Sequence, residues 1–296
     1  MTISELRIYP IKSLGGISVP EVIVEPKGFQ HDRRFMLVSP TGEFMTQRTN
    51  HQMALIDVAI PGAPDRAATL RVWHRNRPDD VLELPLSPVV DADERSETML
   101  VNIWDSKDVP AQTVSEKADQ WFTAVLGKPC RLVYMPEMTH RSVDPAYARD
   151  PEQDAVSFAD GYPYLLIGQS SLDYLNQRAS ESLSMIRFRP NIVVSGSDPY
   201  DEDSWAHFRI GELDFYGVKP CARCVLTTID PETATLGKEP LRTLSTYRQW
   251  KHKILFGQNV LPKLTGQSVL GRLRVGQTID VISRQEPWLA APAANE

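Results

Sequence analysis

Short apolar runs, each soon stopped by proline or glycine, are the feature that most restricts this chain. Ile3, Leu6 and Ile8 open a run that ends at Pro10, and Val19 to Val24 alternates as a second one. Phe35-Met36-Leu37-Val38 and Phe44-Met45-Thr46 flank Ser39-Pro40-Thr41-Gly42, a turn sequence. Met53 to Ile60 is closed by Pro61-Gly62, and Leu70 to Trp73 with Val81 to Leu86 make a further pair. Runs of this length and composition between turn residues read as β-strands. Many of them at such spacing predict a barrel or a sandwich.

One helix stands out against this background. Ser115 is a candidate N-cap, and Ala118, Trp121, Phe122, Val125 and Leu126 recur at helical spacing before Gly127. That pattern buries one face, which makes the helix scaffold rather than site. The polar, proline-bearing stretch 138–154 reads as a long surface loop of the kind that forms lids or binding loops.

In the second half, Tyr164 to Ile167 and Ile192 to Val194 read as buried strands. Ser170 and Asp173 fit a capping box, with Leu172 and Leu175 facing inward. Trp205 to Ile210 and Glu212 to Tyr216 read as a hairpin around Gly211. Leu241 to Trp250 reads as one or two helical turns or a loop; Val269 to Val275 and Thr278 to Ile282 close the fold as strands. Residues 285–296 are rich in proline and alanine and read as a flexible tail.

The chemistry concentrates at residues 219–230, where Cys221 and Cys224 stand with Lys219 and Arg223 on either side of Cys221. Neighbouring cations favour thiolate, the form that attacks or binds metal. The β-branched run Val225 to Ile229 reads as a strand that follows the thiols, and Asp230-Pro231 ends it. A thioredoxin-like pair sits instead at a helix start, and a structural zinc site needs four ligands that Cys130 and the scattered histidines do not complete. An unreactive pair in a turn and one reactive or metal-ligating thiolate also stay open. Arg187, Arg189 and Asn191 before a buried strand form a candidate anion site, and Gly15-Gly16 permits close approach of backbone to a ligand. Taken one at a time, Lys12, Arg34 and Arg48 read as solvated or structural cations. No Gly-x-Ser-x-Gly elbow is present, which argues against a serine hydrolase.

Composition narrows the partners. A net charge of −6 gives no general affinity for nucleic acid, so any basic site is local. Three cysteines make no disulfide framework and fit a reducing compartment. No apolar run approaches the roughly 18 residues of a membrane helix, and the N-terminus has no apolar signal region. A soluble, cytoplasmic protein is the expectation.

Six ordered blocks then carry a resemblance. They are Ile8-Tyr9-Pro10-Ile11-Lys12-Ser13, Asp32 to Val38, Arg187 to Gly196, Asp201 to Trp205, Cys221 to Pro231 and Glu239 to Arg248. With them the chain resembles the MOSC-domain molybdenum proteins that have an N-terminal β-barrel domain, and most of all the amidoxime-reducing components. The resemblance implies a mainly β fold with some α (α+β). An N-terminal barrel-like domain over 1–125 would pack on a MOSC β-barrel domain over 126–284, with a few peripheral helices. It implies a molybdenum cofactor on a pyranopterin without an added nucleotide, with Cys224 as the single protein ligand to the metal and the catalytic residue. Lys12, Ser13, Arg34, Arg189 and Asn191 match positions that hold the pterin and its phosphate. Arg223, Thr227, Thr228, Asp230 and Arg248 are expected close by. The implied activity is two-electron reduction of N-hydroxylated or N-oxygenated small molecules, such as amidoximes and hydroxylamines. Electrons would come from a separate flavoprotein reductase or a ferredoxin- or cytochrome-type carrier, because no cysteine follows Cys224 to hold a ferredoxin cluster. Two alternatives stay beside it: a carrier of the cofactor, and a sulfur-transfer protein like the MOSC end of molybdenum cofactor sulfurases. The pyridoxal phosphate domain of those sulfurases has no counterpart here.

Overall fold

The structure is a computed structural model that describes residues 1–62, 69–88 and 97–290. The chain opens with strands β1 (Thr2–Ile8), β2 (Ile17–Val19), β3 (Glu21–Glu25), β4 (Gly28–Phe29) and β5 (Phe35–Val38). After a 3₁₀ turn at His51–Leu55 come β6 (Ile56–Ala59), β7 (Thr69–His74), β8 (Arg77–Pro85), β9 (Thr98–Ile103) and β10 (Ser106–Thr113). Helix α1 (Glu116–Leu126) leads to β11 (Arg131–Tyr134). Then β12 (Tyr164–Gly168) runs into α2 (Gln169–Asn176), and a 3₁₀ turn at Met185–Phe188 precedes β13 (Ile192–Ser195). The hairpin of β14 (Trp205–Ile210) and β15 (Leu213–Arg223) follows, then a 3₁₀ turn at Val225–Thr228 and α3 (Leu241–Leu244). Strands β16 (Gln249–Trp250), β17 (Lys253–Pro262), β18 (Gly271–Arg274) and β19 (Ile279–Arg284) complete it.

The chain is mainly β with a few peripheral helices, as the sequence implies. The largest sheet runs β19-β14-β15-β17-β12-β13-β1-β2, with β16 on the edge of β17. Smaller sheets run β5-β11-β10-β9, β18-β3-β4 and β6-β7-β8. Among the strands of the described residues only β12 and β13 pair in parallel, apart from isolated bridges such as Ile11 with Phe35. Strand β1 is held between β2 and β13, with Leu6 opposite both Val19 and Ile192. Its buried Ile3, Leu6 and Ile8 join Leu166, Ile192, Val194, Phe215 and Val260 in the principal core. Full burial of each such side chain stabilises by roughly 1.5–3 kcal/mol, which explains why an N-terminal strand lies inside the molecule.

Helix α1 forms where its signals predict. Ser115 Oγ accepts from the Ala118 N–H at 3.2 Å, Gly127 takes the left-handed conformation at φ 65°, and Ala118 and Phe122 are buried. Other expectations fail for local reasons. Val19 to Val24 is split at Pro20 into β2 and β3, since proline cannot donate to a ladder. Met53 to Leu55 belongs to a 3₁₀ turn, and Phe44 makes only an isolated bridge to Val38. The capping box is absent, because α2 begins two residues earlier behind Gly168 and Asp173 accepts from the Gln169 side chain. Val225 to Thr228 is a turn, not a strand. There the Thr227 and Thr228 hydroxyls donate to the carbonyls of Cys224 and Val225 at 3.0 and 2.8 Å, and such back-bonding competes with a sheet ladder.

Candidate functional site

The two thiols lie where β15 runs out. Pro220 pairs with Gln258 but Ala222 pairs with Leu255, so β17 carries one extra residue opposite Cys221. A bulge of this kind bends a strand and re-aims its side chains. Gly257 makes it possible: its φ is 78°, and a Cβ there would stand 2.7 Å from Ile167 Cγ1. The bulge brings the Phe256 carbonyl to Arg223, which donates to it from Nε at 2.8 Å and to the Phe188 carbonyl from Nη1 at 3.0 Å. Arg223 is therefore locked, and its third nitrogen, Nη2, is buried with no hydrogen-bond partner.

Facing this end are the loop after β1 and the segment after β5. Lys12 donates through Nζ to the Phe158 carbonyl at 2.7 Å and to Asp160 Oδ1 at 2.5 Å. Arg48 donates from Nε to Cys224 Sγ at 3.1 Å, from Nη1 to Thr46 Oγ1 at 3.1 Å and from Nη2 to Asp160 Oδ2 at 2.7 Å. Burial pushes the Lys12 ammonium down to about 8, against the pull of Asp160. Enclosure works to raise the Asp160 carboxyl, but Lys12 and Arg48 outweigh it and hold Asp160 well below the usual carboxylate range. Burial pushes the Cys221 thiol up, with Arg223 opposing.

On the third side Tyr9 is sandwiched between guanidinium groups, Arg33 at 4.4 Å and Arg189 at 4.2 Å from its ring centre. Arg33 donates to Asp32 at 2.6 Å and to Asn191 Oδ1 at 3.0 Å. Arg189 donates from Nη1 to the Leu14 carbonyl at 2.6 Å, while its Nη2 is buried without a partner. Burial, reinforced by Arg33, pushes Arg189 down to about 10. Gly16 serves Tyr9 rather than a ligand, since a Cβ there would strike the Tyr9 ring at 2.4 Å.

Most of these side chains line one cleft, whose enclosed volume is about 130 Å³. Its lining brings together Lys12, Ser13, Arg189, Asn191, Arg223, Cys224 and Thr227 from the sequence-derived set. The others stand behind it. Arg34 pairs with Glu25, and Arg248 pairs with Asp203 in a fully buried setting. Asp230 accepts from Arg187 at 2.6 Å and caps its own turn through Glu232 and Thr233. Thr228 is spent on the Val225 carbonyl. Arg33, Asp160 and Tyr162 line the cleft without having been marked by the sequence, and Arg48, which reads as solvated, lines it too. None of residues 138–154 lines the cleft. That loop instead props it from behind, where Arg141 donates to the carbonyls of Ser157 and Asp160 at 2.9 and 2.8 Å.

The cleft thus holds five cations, Lys12, Arg33, Arg48, Arg189 and Arg223, against one carboxylate, Asp160. Such a lining suits an anion, and one with several acceptors. Among the described residues no three His, Cys, Asp or Glu side chains stand close enough to hold a metal between them. No described helix is long and apolar enough to cross a membrane.

Comparison with known proteins agrees with the fold. Residues 1–129 match the MOSC N-terminal beta barrel domain, and residues 153–280 match the MOSC domain. The chain is 30% identical to human mitochondrial amidoxime-reducing component 1 over 297 residues, covering 96% of this chain and 83% of that protein. It is 34% identical to the mouse protein of the same name over 254 residues, covering 83% and 71%. It is also 32% identical to molybdenum cofactor sulfurase of Arabidopsis thaliana over 277 residues, covering 86% of this chain but 32% of that longer protein. Both domains in this order, with such identity along nearly the whole length, place the chain in the family of MOSC-domain proteins that carry an N-terminal MOSC β-barrel domain.

Proposed function

We propose that this protein binds a molybdenum cofactor through Cys224 and reduces N-hydroxylated or N-oxygenated small molecules. The names of its relatives support a molybdenum-related role. The observation that carries the reading is a cysteine sulfur in a five-cation cleft with two buried guanidinium nitrogens, on Arg189 and Arg223, left unpartnered. A buried donor without a partner is costly, and a phosphate- and pterin-bearing ligand supplies the missing acceptors. A metal already carried by a cofactor dithiolene needs one soft protein ligand, and Cys224 is that ligand. Lys12 keeps one N–H beyond those given to Phe158 and Asp160, and it joins Arg189 and Arg223 in holding the anionic end. Ser13, Asn191 and Thr227 shape the wall, while Arg34, Thr228, Asp230 and Arg248 act from behind it by fixing the backbone.

When bound, the cofactor supplies two-electron chemistry in which an N–OH group, two electrons and two protons become N–H and water. The chain's own part is binding and orientation. Arg48 fixes the Cys224 sulfur, and Asp160 fixes Arg48 and Lys12 while offsetting their charge. Electrons come from a separate reductase or carrier. Because the cleft draws side chains from both 1–125 and 126–284, the two parts serve one site.

The test is metal and pterin content of protein made in cells that synthesise the cofactor, with turnover of benzamidoxime by a chemical reductant. One molybdenum per chain is expected in the parent and in Cys221→Ala, none in Cys224→Ala, with turnover following the metal. A parent without molybdenum or pterin after reconstitution removes the reading. A sulfur-transfer role is the second reading, favoured by the sulfurase likeness and by Cys221 beside Cys224 in the cleft. It takes over if the metal-loaded protein leaves benzamidoxime intact yet accepts sulfur from a cysteine desulfurase. Metal without either activity marks a carrier.

A further inference from the structure

Trp104 lies beside the cleft, against its lining residues Arg48 and Asp160, and has no part in the scheme above. It occupies the turn between β9 and β10 in the left-handed conformation, φ 52°. That conformation is strained for a bulky side chain, and strain of this kind persists only where the surroundings hold it. Here the surroundings do. The indole N–H donates to Asp160 Oδ1 at 3.3 Å, the Arg48 guanidinium lies 4.6 Å from the ring centre, and the Phe44 ring packs at 5.0 Å. Even so, 43% of Trp104 stays exposed.

An indole fixed this firmly and left this open has the properties of a stacking surface, since the ring surrenders little freedom when a flat partner covers it. Its position gives that surface a use. Arg48 touches both the ring and the Cys224 sulfur, so one guanidinium separates the open indole from the reactive end of the cleft. A flat molecule held against Trp104 would lie one guanidinium group away from Cys224.

We propose that Trp104 is a substrate-binding side chain that makes the protein prefer N-hydroxylated compounds whose nitrogen is conjugated to an aromatic ring. This rests on the reductase reading. Aromatic stacking acts through the π face, so a saturated ring of the same bulk should be a poorer partner.

The experiment compares benzamidoxime with cyclohexanecarboxamidoxime on the metal-loaded protein, alongside calorimetric binding of the products benzamidine and cyclohexanecarboxamidine. In the parent, kcat/KM should favour the aromatic substrate by about tenfold, the factor that about 1.4 kcal/mol gives, and the Kd values should follow. Trp104→Leu should bring both ratios to within about twofold, and Trp104→Phe should keep most of the preference. Equal efficiencies in the parent overturn the proposal without any variant. An unchanged ratio in Trp104→Leu overturns it too, even if both rates fall, because Trp104 would then only prop Arg48 and Asp160. A parent that reduces neither amidoxime defeats the reductase reading instead, and the two amidine Kd values then decide Trp104 alone.

Discussion

Arg48 uses every guanidinium nitrogen, on Cys224, Thr46 and Asp160, and so joins the thiol to the loop that carries Lys12. Lys12 gives this network a pH dependence. Its ammonium sits at about 8 rather than the ordinary 10.5, so the folded protein carries that charge below about 8 and loses it above. The unfolded chain keeps the proton up to about 10.5; burying the charge therefore costs stability below about 8, and that cost shrinks as pH rises between the two values. Function moves the opposite way, because an anion loses a cation. Molybdenum retained through gel filtration should fall between pH 7 and pH 9 in the parent and stay level in Lys12→Arg; a level parent profile would remove Lys12 from the anion site. At this scale the sequence was partly readable. Cys224, Arg189 and Arg223 carry local signals, a thiol among cations or arginines before a strand, whereas Lys12 is marked only by the family resemblance. Of the two adjacent arginines the sequence marks Arg34, yet Arg33 reaches the cleft, because its φ of 50° breaks the alternation on which such readings rest. Asp160 and Arg48 become site residues through a contact 112 positions apart, which no local pattern encodes.

Elements were legible where their signals are self-contained. Helix α1 has its cap, its stripe and its glycine within one stretch, and it forms as read. Strand β17 was not anticipated at all, although it lies between β15 and β12 in the largest sheet. Gly257, Gln258 and Asn259 interrupt its apolar run, and they do so because the bulge that sets Arg223 and the thiols sits there. Irregularity useful to the site hid the strand that provides it. Gly257→Ala should therefore act on both stability and site. With φ at 78° and Ile167 Cγ1 at 2.7 Å from the new methyl, the change should destabilise by roughly 2 kcal/mol or more. The denaturant midpoint should fall and the surviving folded protein should hold less molybdenum. A variant with parental midpoint and metal content would mean that the bulge is dispensable.

Over the whole molecule the ends of the chain are tied together. Strand β18 pairs with β3, the Ile279 N–H donates to the Met1 carbonyl at 3.0 Å, and Arg272 reaches Glu21 at 2.7 Å across 251 residues of sequence. With β1 inserted beside β13, neither half can open without tearing the largest sheet. Calorimetry should show one unfolding transition, and two separable transitions would show that the halves are thermally independent. None of these long pairings was readable in advance, since the sequence shows that a run is a strand but not which distant run lies beside it. The same tie bears on the order in which the protein is made. Glu21 leaves the ribosome 251 residues ahead of Arg272, so at synthesis rates of roughly 5–20 residues per second β3 waits roughly 10–50 s for its neighbour. Throughout that interval β3 has one edge without its partner strand β18, and an open edge of this kind is a template for pairing with other chains until the partner strand emerges.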